Sequence, residues 1–87
     1  GLPSSALDTT GLADKPLTAI LSEAGMGQGK QVKDALGRNA VIINGNAYGM
    51  ADLMKGEEIF APDNAMYGRF FMVRMGKKKH HLFELEK

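Results

Sequence analysis

Apolar positions along the chain fall into two different periods, and the change of period outlines the elements. Leu17, Ile20, Leu21 and Ala24 recur at i, i+3, i+4 and i+7, the spacing of a one-faced helix, which predicts a helix over about 16–24 ended by Gly25. Pro16 suits its first helical position and Asp14 is placed to cap it. A second helix is predicted over about 30–36, with Val32, Ala35 and Leu36 on one face and Lys30 and Lys33 one turn apart on another. Gly37 stops it and Arg38-Asn39 turns the corner.

From Ala40 the period shortens. Ala40, Val41, Ile42 and Ile43 form a β-branched run that ends in Asn44-Gly45, a pair that tolerates the positive φ angles of a type I′ hairpin turn, so the chain should return through Asn46–Tyr48. Residues 49–65 are acidic and irregular, with Ile59-Phe60 as the expected anchor to the core and Pro62-Asp63-Asn64 as a turn. Alternation resumes at Arg69, where Arg69, Phe71, Val73 and Met75 would share one face of a strand and Phe70, Met72 and Arg74 the other. Gly76-Lys77-Lys78 then turns the chain into a last strand over Lys79–Leu85. Residues 1–14 show neither period and read as a flexible linker, leaving residues 15–87 as one domain. The fold expected is α+β: two helices packed on a small, mostly antiparallel sheet of three to five strands. A start at Gly1 without an initiator Met reads as a piece from the C-terminal part of a longer protein.

Composition narrows the function classes. Without cysteine there is no disulfide framework, thiolate metal site or cysteine nucleophile. No apolar run approaches the ~20 residues of a membrane span, and a cytoplasmic setting is expected. The net charge of +1 conceals a strong alternation: basic blocks at 29–49 and 66–87 are separated by acidic blocks at 1–28 and 50–65.

The candidate chemistry is correspondingly basic. Between Met66 and His81 stand Arg69, Arg74, Lys77, Lys78 and Lys79 with no acid among them. Such a run favours phosphate contact, and it equally suits a lysine-protected sheet edge. The glycine-rich segment Gly25-Met26-Gly27-Gln28-Gly29-Lys30 misses the spacing of a phosphate-binding loop and follows a helix, so it reads as a flexible helix-to-helix connection. His80 and His81 are adjacent on a strand, must face opposite ways, and read as surface or sheet residues. Asp52, Glu57, Glu58 and Asp63 match no calcium loop. No catalytic constellation emerges, and no cofactor is expected in this chain.

Three segments together, PLTAILSEAGM, GKQVKDALGRNAVIINGNAY and YGRFFMVRMGKKKHHL, resemble the C-terminal domain of bacterial-type tyrosyl-tRNA synthetases. That domain carries an alpha-L RNA-binding motif, a helix–helix–strand unit. The resemblance covers about residues 15–85, and its most specific part is the terminal Gly-Arg-Phe strand closed by Gly-Lys-Lys. It implies a module that binds tRNA for tyrosine near the anticodon stem and long variable arm, beside a catalytic domain of the same polypeptide in a homodimeric parent enzyme. That absent domain would take ATP and tyrosine, so this chain by itself is not expected to be an enzyme. The RNA-binding residues implied are Lys30, Lys33, Arg38, Asn39, Arg69, Arg74, Lys77 and Lys78. The chain departs from the family where helix 2 opens with Gln28-Gly29 and has Val32-Lys33 at its middle. An alpha-L module of a ribosome-associated or RNA-modifying protein, and an interaction appendage without RNA, remain the alternatives.

Overall fold

A computed structural model describes residues 2–86. Five strands, β1 (Ser4–Leu7), β2 (Val41–Ile43), β3 (Asn46–Tyr48), β4 (Phe70–Met75) and β5 (Lys79–Leu85), form one sheet in the order β1-β5-β4-β2-β3. All neighbours are antiparallel except β1 and β5. Helices α1 (Leu17–Glu23), α2 (Gly29–Gly37) and the single turn α3 (Gly56–Ile59) complete the α+β fold.

Helices and sheet close on a single core. α1 contributes Leu17, Ile20 and Leu21, and α2 contributes Val32, Ala35 and Leu36. The sheet answers with alternate residues, Val41 and Ile43 of β2, Phe71, Val73 and Met75 of β4 and Phe83 of β5, all buried in the same cluster. Period 3.6 in the helices and period 2 in the strands thus bury the positions that the sequence pattern selects. Phe60, fully buried after α3, sets its ring edge-on to Phe71 and Phe83 at centroid distances of 5.0 and 5.5 Å. The acidic connection is therefore anchored where Ile59-Phe60 predicted.

Turn chemistry follows the sequence at two hairpins and a helix end. Asn44 and Gly45 take φ of 48° and 85°, the pair of positive angles of a type I′ turn, and Gly76 turns β4 into β5 at φ 67°. Gly25, at φ 86°, ends α1 with its N–H donated to Ser22 O while Met26 N–H reaches back to Leu21 O. Asn44 does more than turn. Its Nδ2 donates to the carbonyls of Asn64 and Phe70, and its Oδ1 accepts from Met72 N–H at 2.8 Å. One side chain thereby fastens the β2–β3 hairpin to β4 and to the acidic connection.

Several expectations are corrected. Residues 4–7, read as linker, form an edge strand on β5, because unpaired backbone beside a sheet edge gains a hydrogen-bond ladder whatever its side-chain pattern. Leu7 and Leu12 join the core from the same segment. Pro16 stands just before the first helical residue, and Asp14 makes no capping bond to α1. The α1–α2 connection is fixed rather than free: Met26 is buried and its carbonyl accepts from Lys79 Nζ at 3.2 Å. Arg69 belongs to the turn ahead of β4, so it does not share the buried face of Phe71, Val73 and Met75.

Candidate nucleic-acid interface

The α2 helix turns its apolar stripe to the core, which leaves Lys30, Lys33 and Asp34 in solvent. Its start is fixed by Gln28, whose backbone N–H donates to Gln31 Oε1 at 2.8 Å. At its other end Arg38 and Asn39 form the corner, and Asn39 adopts the left-handed φ of 53° that an Asn tolerates. Gly49 passes so close beneath that a Cβ there would collide with Asn39 Oδ1. Asn39 is thus a corner residue whose side chain lies against the following hairpin.

Arg38 is where three shallow grooves meet. One runs along α2 past Lys33 and Lys30, bordered by Met50. A second lies between α2 and the β4–β5 turn, with Gln31 and Asp34 on one wall and Lys77, Lys78 and Lys79 on the other. The third crosses Asn39 and Ile42 to reach Arg74 and Lys77. Two basic blocks remote in sequence therefore form one surface.

The pairing of charges sharpens that surface. Lys15 is bonded to Glu23 and Arg69 to Glu84, and Lys55 lies 3.8 Å from Asp52, so each has an opposite charge beside it. Arg38 lies 3.6 Å from Asp34, both largely in water, a contact worth little when exposed. Among the described residues, Lys30, Lys33, Arg74, Lys77, Lys78 and Lys79 have no carboxylate within ion-pair distance. All of these lie on α2 or at the end of β4 and the start of β5. Seven of the eight sequence-selected residues thus fall together, since Lys30, Lys33, Arg38, Asn39, Arg74, Lys77 and Lys78 line the three grooves. The eighth, Arg69, sits at the opposite end of β4 with its guanidinium 4.9 Å from the centre of the Phe70 ring. Sequence reasoning missed Gln31 as a member of the groove wall, while Lys79, named in the basic run, joins it there. The i, i+3, i+7 spacing of Gln31, Asp34 and Arg38 is the signal that could have marked that side of α2.

The chain matches no protein-family model, and no curated protein sequence is significantly similar to it.

A second polar feature lies across the sheet. Ser5 Oγ and His81 Nε2 are 2.7 Å apart, joining β1 to β5, with His81 buried against Phe83. Burial holds the His81 pKa below the ordinary histidine value. The spacing suits a nucleophile and its base, but no carboxylate among the described residues bonds the second ring nitrogen, so the pair works as a fastening between strands. His80, next along β5, is exposed, as strand alternation requires. Among the described residues no group of three or more His, Asp and Glu side chains is placed to hold a metal ion, and no helix is long and apolar enough to cross a membrane.

Proposed function

We propose that this domain binds RNA through the cationic end formed by α2, its corner and the β4–β5 turn, and that its natural ligand is tRNA. The observation that supports the reading is the distribution of charge: Lys15, Lys55 and Arg69 each have a carboxylate within ion-pair distance, whereas Lys30, Lys33, Arg74, Lys77 and Lys78 have none and Arg38 has only an exposed contact with Asp34. The grooves are shallow and present point charges rather than a pocket of shaped donors, which suits recognition of backbone shape more than of base sequence.

The tRNA reading adds the resemblance to the C-terminal domain of tyrosyl-tRNA synthetases. The helix–helix–strand order of α1, α2 and β2, closed by Asn44-Gly45 and followed by the basic terminal hairpin, is the arrangement that resemblance implies. On this reading the domain is an appendage of a cytoplasmic tyrosine–tRNA ligase, holding the RNA while another domain performs aminoacylation.

The test is replacement of Lys30, Lys33, Arg38 and Lys77 by Ala together, with affinity for a long-variable-arm tRNA measured by fluorescence anisotropy. Loss of about 10-fold or more is expected for four backbone contacts. Unchanged binding refutes the interface. Equal affinity for ribosomal RNA fragments and for tRNA keeps the RNA reading and removes the tRNA one.

A further inference from the structure

The helices cover only one face of the sheet. On the other, the register sets Ile42, Arg74 and His80 side by side in one row, Met72 and Leu82 in the next, and Phe70 beside Glu84 in the third. Ile42, Met72, Leu82 and Phe70 are half-buried there, while Arg74 and His80 are exposed. This face is continuous with the cationic end, because Ile42 and Arg74 also line the groove that holds Arg38, Asn39 and Lys77.

Its far end carries a second anomaly. Met66 and Phe70 exchange backbone hydrogen bonds across a tight turn whose tip is Tyr67-Gly68-Arg69. Tyr67 is 91% exposed and held at φ 55°. Asn, Asp or Gly is the ordinary occupant of that conformation, and an aromatic ring there is both strained and left in water. Beside it, the Arg69 guanidinium lies on the Phe70 ring, with its charge met by Glu84. This end therefore offers planar groups for stacking, whereas the Arg74 end offers charge. The two ends are about 13 Å apart along β4, at ~3.3 Å per residue, the span over which a sheet platform stacks two or three bases.

We propose that the open face of the sheet, from Arg74 and His80 to Phe70 and Tyr67, is a platform for unpaired nucleotides running on from RNA held at the cationic end. The proposal rests on the RNA reading above. Charge at Arg74 directs the phosphate chain onto the sheet, His80, Tyr67 and the Arg69 guanidinium that lies on Phe70 stack bases, and the apolar centre of Met72 and Leu82 covers their edges. Neither His80 nor Tyr67 belongs to the cationic grooves at Arg38, so duplex binding there does not depend on them.

The platform is tested by titrating isotopically labelled protein with a single-stranded hexauridylate, following backbone amide shifts, and in parallel with a blunt RNA hairpin. The variants are Tyr67→Gly and His80→Ala. Tyr67→Gly relieves the positive φ, so the folded state should melt no lower than the wild type while hexauridylate affinity falls about 5-fold or more. His80→Ala should weaken the oligonucleotide and leave the hairpin unaffected. Shifts confined to α2 and residues 76–78 overturn the platform and leave the RNA reading standing. Hairpin binding without any response to the oligonucleotide has the same meaning, and failure of both ligands ends both proposals. Shifts on the open face that depend on protein concentration alone mark it as a contact between copies and overturn the platform.

Discussion

Electrostatic binding at the Arg38 grooves makes a quantitative demand on salt dependence. Lys30, Lys33, Arg74, Lys77 and Lys78 are unpaired, and Arg38 can exchange its exposed contact with Asp34 for phosphate at little cost. If about three to five of these groups meet phosphate, each releasing ~0.7–0.9 of a counterion, log affinity against log salt should slope at about −2 to −4. At a slope of −4, a fourfold rise in salt, from ~50 to ~200 mM, lowers affinity about 250-fold. Lys33→Ala and Lys77→Ala should each flatten the slope by ~0.7–0.9, one phosphate contact apiece. Lys15→Ala and Lys55→Ala serve as controls, because both side chains lie outside the Arg38 grooves and have Glu23 and Asp52 beside them. Anisotropy titrations of a labelled tRNA over a salt series provide the slopes. A flat wild-type response refutes the mechanism, and so do control variants that change the slope as much as Lys33→Ala and Lys77→Ala.

Three further outcomes concern the fold that carries this surface. Phe60→Ala should cost about 3–5 kcal/mol in urea unfolding, since a fully buried ring with two edge-on aromatic neighbours leaves a cavity that its surroundings cannot close. Asn44→Ala should cost about 2–3 kcal/mol in the same assay, because it strips the Asn64 carbonyl and Met72 N–H of their side-chain partner, leaves the Phe70 carbonyl with Met66 N–H alone, and places Ala at φ 48°. Stability should fall on acidification from pH 7 through the histidine range. His81 has a lowered folded-state pKa, so below the ordinary value of 6.5 the unfolded chain takes up the proton first, and the contribution is complete only above that value. In His81→Phe this component of the pH profile should disappear, as read by thermal melts at each pH.

The parts of the fold legible in the sequence are those fixed by local physics. The apolar stripe of Val32, Ala35 and Leu36, the hairpin at Asn44-Gly45 and the buried alternation Phe71, Val73, Met75 each depend on residues within a few positions of one another. Strand β1 was not legible, because Ser4–Leu7 has no pattern of its own and becomes a strand only through backbone pairing with β5. The same remoteness hid Ser5 from His81 and Met26 from Lys79. The basic residues of the interface were visible singly. Their convergence on Arg38, and the separation of Arg69 from them, depend on how β4 lies between α2 and the turn before it, which no local spacing records. The strain at Tyr67 was equally silent, since Tyr67-Gly68-Arg69 lacks the Asn or Asp that usually marks a left-handed turn.

The pairing of β1 with β5 constrains the order in which the molecule can be built. Ser4 lies against Leu82 and Leu7 against Leu85, so β1 must wait for β5 before it can pair. Until β5 emerges, β4 also lacks one of its two neighbours, and the core face that Phe83 completes stays open. Closing so long a loop is entropically the most expensive contact in the chain, which places the docking of β1 late in folding and slows it relative to the α1–α2 unit. A nascent chain halted just before β5 should therefore remain protease-sensitive at β1 and β4, and emergence of β5 should protect both in one step.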